Sequence, residues 1–203
     1  MTTHIGERYK ELYVVVKNIL PTDVIKISEQ YCLFKMLNEF TIETDKHTLV
    51  PNTHSVYGDS LMETLLLYTK PKIEEIIKRK LIPTYSYYRV YKPGDTLEEH
   101  TDRESCELSA SITLGYKYNN TDDNYKWPLF VYADDEKRYL DTEPGDAVIY
   151  RGGHLAHGRD RFEAGEYSYH IQVFLHYIFE DGPYVEQYAY DGRTGIGCKK
   201  IKK

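Results

Sequence analysis

Tyr85-Ser-Tyr-Tyr-Arg-Val-Tyr91, Lys92-Pro-Gly-Asp95 and Thr96-Leu-Glu-Glu-His100-Thr-Asp102 follow one another without a break, and their reading decides the fold. The first run is aromatic and β-branched, as half-buried strands are, and the second carries the residues of a tight turn. If the chain beyond the turn is extended, residues i and i+2 point to the same side, so His100 and Asp102 can grip one ion from one direction. A third ligand must then come from far along the chain. Tyr150-Arg-Gly-Gly-His154-Leu-Ala-His157, after a second turn-and-strand signal in Glu143-Pro-Gly-Asp-Ala-Val-Ile-Tyr150, offers His154 and His157. Two imidazoles and one carboxylate on one face of a metal, with other positions open, suit a non-heme Fe(II) site.

Strand signals recur outward from this stretch, at 85–91, 109–116, 128–132, 138–142, 146–151 and 169–178, with Gly, Pro, Asp and Asn between them. Short strands with regular turn punctuation predict an antiparallel sandwich or barrel. Ahead of them the spacing predicts helices over 21–37, 59–68 and 71–81, with Asp59 as an N-cap and Pro71 in a first turn. The expected organisation is one domain: a helical support (1–82), a β core (83–178) and a C-terminal extension (179–203) whose basic tail is partly disordered.

Composition narrows the function classes. A chain of 203 residues with 41% hydrophobic content can bury one sizeable core. A net charge of −6 lacks the basic footprint of a nucleic-acid binder. Cys32, Cys106 and Cys198 show neither a disulfide framework nor CxxC spacing. The N-terminus has no signal-peptide pattern and no apolar run reaches membrane-spanning length, so the expectation is a soluble, cytoplasmic protein without membrane or nucleic-acid partners. Most of the 21 tyrosines suit half-buried strands, while Tyr87, Tyr91 and Tyr150 are placed to face a pocket.

Pro83-Thr-Tyr-Ser-Tyr-Tyr-Arg-Val-Tyr91, His100-Thr-Asp-Arg-Glu-Ser-Cys-Glu-Leu-Ser109, Trp127-Pro-Leu-Phe-Val131, Glu143-Pro-Gly-Asp-Ala-Val-Ile-Tyr-Arg-Gly152 and Gln172-Val-Phe-Leu-His-Tyr177 together resemble a known family. It is the Fe(II)- and 2-oxoglutarate-dependent dioxygenases, in their prolyl-4-hydroxylase-like branch, including small phage and marine-bacterial oxygenases. The resemblance spans about Pro83 to Tyr177. It implies a double-stranded β-helix, or jelly roll, braced by helices: mainly β in an α+β arrangement. It also implies Fe(II) held by His100, Asp102 and His157, with 2-oxoglutarate and O2 as co-substrates and ascorbate as an accessory reductant. The substrate would be a prolyl peptide or a related small molecule. Asp102 disfavours halogenation, which needs a small residue there. A cupin-like Zn or Mn binder without this catalysis is the alternative.

The resemblance places the basic partner of the 2-oxoglutarate distal carboxylate near the start of the last core strand. Here Phe162-Glu-Ala-Gly-Glu-Tyr-Ser-Tyr-His-Ile-Gln172 holds no Lys or Arg. His170 and Gln172 stand nearest, and Tyr91 is the tyrosine expected to donate to a bound carboxylate; Arg159, Arg161, Arg103 and Arg89 are the alternative cations. His176 reads as a core histidine with a hydrogen-bond partner.

Overall fold

The computed structural model describes residues 13–39 and 49–199; the end of the basic tail, 200–203, lies outside them. The core strands form where the sequence signals them: β3 (Leu81–Tyr91), β5 (Leu108–Lys117), β6 (Leu129–Ala133), β7 (Glu136–Leu140), β8 (Ala147–Tyr150) and β10 (Tyr169–Phe179). Four more complete the fold: β1 (Tyr13–Val16), β2 (His54–Tyr57), β4 (Leu97–His100) and β9 (His157–Arg159). They make two antiparallel sheets, one ordered β1-β8-β5-β10-β3-β2 and the other β4-β9-β6-β7. This is the expected jelly roll.

The front of the chain is not purely helical, because β1 pairs with β8 and β2 with β3, extending both edges of the large sheet. Two long helices, α1 (Thr22–Asn38) and α2 (Ser60–Ile77), pack on its outer face. Asp59 caps α2 as expected, accepting from the Leu61 and Met62 amides. Helices over 59–68 and 71–81 do not form separately; α2 runs through Pro71, and Leu81 already begins β3. A mid-helix proline costs about 3 kcal/mol. The buried stripe Met62, Leu65, Leu66, Thr69, Ile73, Ile77 continues across the proline, and burial of that stripe against the sheet outweighs the lost hydrogen bond.

Strand alternation sorts the large sheet into two chemically different faces. Tyr88, Val90, Ala110, Ile112, Leu114, Ile171, Val173 and Leu175 join the helices in the main apolar core. The alternate positions, Tyr85, Tyr87, Arg89, Ser109, Ser111, Gln172, Phe174 and His176, face the space between the sheets. Both x-Pro-Gly-Asp segments fold into the same turn, with Gly94 at φ +89° and Gly145 at φ +93°, a region only glycine enters freely. In each, the aspartate carboxylate accepts from the amide of the turn's first residue, 2.9 Å from Asp95 to Lys92 N and 2.9 Å from Asp146 to Glu143 N.

Beyond β10 the chain turns back toward α2. A short helix, α3 (Val185–Tyr188), is followed by a 3-10 turn. Arg193 then runs inward to Glu63 of α2 at 2.7 Å, with both side chains 2% exposed, and also donates to the Thr84 carbonyl at 2.9 Å.

Candidate metal centre

β4 and β9 are neighbours in the small sheet, and their register sets His100 directly opposite His157. Asp102 lies two residues beyond, just past the end of β4, where its amide donates to the Gly152 carbonyl at 2.9 Å. The expected i, i+2 pair therefore forms, but across the end of a strand. Asp102 Oδ1 sits 3.6 Å from His100 Nε2 and 3.7 Å from His157 Nε2, and the three donor atoms all lie within 4.8 Å of one another. Two ligands each about 2.1 Å from one ion are at most about 4.2 Å apart. The trio thus needs only a few tenths of an ångström to close, and its donor set suits Fe(II).

Backbone carbonyls orient both rings. His100 Nδ1 donates to the Glu98 carbonyl and His157 Nδ1 to the Leu155 carbonyl, each at 2.8 Å, which turns both Nε2 lone pairs toward Asp102. Such outer partners fix tautomer and ring angle at metal sites. On the other side, Ser109 Oγ donates to Asp102 Oδ2 at 2.9 Å and accepts from His176 Nδ1 at 2.9 Å, so Oδ1 is the atom presented to the histidines. The Tyr150 hydroxyl donates to His157 Nε2 at 3.2 Å.

The electrostatics keep Asp102 and His157 in their ligating forms. Burial raises the pKa of Asp102, but the hydrogen-bonding influence of His100 and the charges of His157 and His176 outweigh it and hold it at about 2. Burial lowers that of His157 and brings that of His176 down to about 4, so both rings are neutral at pH 7.

These residues open on a cavity of about 430 Å³, lined also by Tyr57, Tyr85, Tyr87, Arg89, Arg103 and Phe174. Tyr57, Arg103 and Cys106 bring the segments 53–60 and 103–107 to its lining. His154 is exposed on a turn, outside the trio. Tyr91, Arg159, His170 and Gln172 come together in a buried cluster that does not line the cavity. In it Gln172 Oε1 accepts from Arg159 at 3.1 Å and contacts His170 Nε2 at 2.9 Å, and Arg159 also donates to the Trp127 carbonyl. Sequence reading missed Ser109. The polar alternation Ser109, Ser111, Thr113 on an otherwise apolar strand was the available signal.

No protein-family model and no curated protein sequence matches the chain. Solved structures do. A Pseudomonas putida prolyl-4-hydroxylase superposes with a TM-score of 0.63 at 13% identity, over 82% of this chain and 91% of that one. SnoN, a non-heme alpha ketoglutarate dependent epimerase from nogalamycin biosynthesis, gives 0.69 at 11% identity over 96% and 89%. The collagen prolyl hydroxylase of Paramecium Bursaria Chlorella virus-1, solved as a 2-oxoglutarate complex, gives 0.59 at 12% over 85% and 98%. The chain has the jelly-roll fold of the 2-oxoglutarate oxygenases, prolyl hydroxylases among them.

Proposed function

We propose that the protein is an Fe(II)- and 2-oxoglutarate-dependent oxygenase that hydroxylates a prolyl residue in a peptide or a related small molecule. The observation that carries the reading is the convergence of His100 Nε2, His157 Nε2 and Asp102 Oδ1 at the wall of a cavity of about 430 Å³. Two comparison structures bear on substrate size: a Trichoplax adhaerens prolyl hydroxylase is solved with a hypoxia inducible factor peptide fragment, and HygX from Streptomyces hygroscopicus with hygromycin B.

His100, Asp102 and His157 would hold the metal. The chemistry such a centre supplies when bound is the oxidation of a C–H bond to C–OH by O2, coupled to conversion of 2-oxoglutarate to succinate and CO2. The chain's own contribution is geometry and dryness. Ser109 and the Glu98 and Leu155 carbonyls fix the three donors before any ligand arrives, so little reorganisation is left to perform. Stacked Tyr57 and Tyr85, with ring centroids 5.1 Å apart, give a substrate an aromatic wall, and Phe174 and Leu97 exclude water. A cupin-like binder of Zn or Mn is less favoured, because the cavity beside the trio also carries a buried arginine.

Turnover of 2-oxoglutarate to succinate tests the reading, screened against proline-rich peptides and free amino acids with Asp102→Ala as control. Succinate that requires Fe(II) and a substrate, and is absent from the variant, is expected. Metal-replete protein that never consumes 2-oxoglutarate would overturn it.

A further inference from the structure

We propose that Arg89 receives the distal carboxylate of 2-oxoglutarate, taking over from the last core strand a task for which that strand has no cation. The inference rests on the oxygenase reading.

Position is the first support. Arg89 stands on β3 directly across from Gln172 of β10, and it lines the same cavity as His100, Asp102 and His157. Neither β10 candidate carries charge: Gln172 is an amide, and burial and the charge of Arg159 hold the His170 pKa well below its usual range.

The second support is an unanswered charge. Arg89 is 5% exposed, and its guanidinium meets only two phenols, Tyr91 Oη at 3.2 Å and Tyr87 Oη at 3.3 Å. Its Nε has no partner, and no carboxylate pairs with it among the described residues. A buried cation without a counter-ion is costly, and a guanidinium matches a carboxylate with two parallel hydrogen bonds. Accepting from Arg89 leaves the Tyr87 hydroxyl proton free to donate to the same carboxylate.

Two other cations are less well placed. Arg103 has a side chain 56% exposed and is paired with Asp191 at 3.7 Å and with the Tyr85 hydroxyl at 3.3 Å. Arg159 is likewise buried, with its Nε unpartnered and no carboxylate paired with it among the described residues, but its terminal nitrogens go to Trp127 and Gln172 and it does not line the cavity. Arg159 instead holds the amide of Gln172, the residue opposite Arg89 in the strand register.

Calorimetry on the Mn(II)-loaded protein under anaerobic conditions tests this, with 2-oxoglutarate and with 2-oxopentanoate, which keeps the keto acid and replaces the distal carboxylate by a methyl group. The wild type is expected to prefer 2-oxoglutarate by roughly 10- to 100-fold, the range for hydrogen bonds to a charged group. Arg89→Gln should cut that preference to about threefold or less, leaving 2-oxopentanoate and Mn(II) affinities within about twofold, whereas Arg103→Gln keeps it. Arg89→Lys, which keeps the charge but not the planar fork and serves should the glutamine variant fail to fold, should reduce the preference without abolishing it. Wild-type preference in either folded Arg89 variant would overturn the assignment alone. A wild type that binds neither keto acid would instead overturn the oxygenase reading beneath it.

Discussion

A Cβ on Gly152 would stand 2.3 Å from Asp102 Oδ2 and 2.6 Å from the Cys106 carbonyl. The glycine after Arg151 is therefore a space the carboxylate occupies. Gly152→Ala should push Asp102 out of line and weaken Mn(II) binding by tenfold or more, with some loss of stability because the clash with the Cys106 carbonyl is against backbone. Titration of the metal with circular dichroism alongside checks both parts, and unchanged Mn(II) affinity would refute the steric account.

Ser109 aims Asp102 without being able to touch a metal that His100, Asp102 and His157 hold. Ser109→Ala removes one hydrogen bond to a charged group, an effect of about 1.5–3 kcal/mol, so Mn(II) affinity should fall roughly 10- to 150-fold. Tyr150→Phe removes a donor that competes for the His157 Nε2 lone pair, and should leave affinity unchanged or raised. The same titration run on both variants separates the two roles by sign.

His176 supplies a pH dependence whose direction is fixed. Its folded pKa of about 4 lies below the usual 6.5, so between these values the unfolded chain binds more protons than the native one. Stability is then full above about pH 6.5, declines as pH falls toward 4 and loses nothing further from this group below that, a total loss on the order of a few kcal/mol. Asp102, held at about 2, would add its own loss only at still lower pH. Urea denaturation at pH 7.5, 6 and 5 measures the slope, and His176→Gln should reduce it, leaving the part that His157 and His170 contribute.

The Glu63–Arg193 pair ties the segment after β10 to α2. Arg193→Met leaves Glu63 buried without its partner and should cost about 3–5 kcal/mol, as breaking buried ion pairs does. Adding Glu63→Met should recover a large part of that loss. Chemical denaturation of both variants checks it.

Much of this fold was written locally. Both x-Pro-Gly-Asp turns and the six core strands could be read because turn chemistry and β-branched runs act over a few residues. β1, β2 and β9 could not: they are 4, 4 and 3 residues long, and pairing to a ready edge, rather than propensity, makes them strands. Pro71 misled in the same way, because local propensity stops a helix there and a nonlocal apolar contact carries it on. At the site, His100, Asp102 and His157 were legible from spacing and resemblance. The choice between Arg89 and Arg159 was not, since it turns on which arginine opens on the cavity, a matter of how strands far apart in sequence are packed.

Because His100 and His157 face each other across a backbone ladder, their separation is ruled by the hydrogen bonds between β4 and β9. Neighbouring strands keep to about 4.8 Å whatever side chains they carry. Point changes in the loops can reshape the mouth while this jaw keeps its gauge. One residue inserted in Leu97–His100 would instead turn a histidine to the opposite face of the sheet and open it.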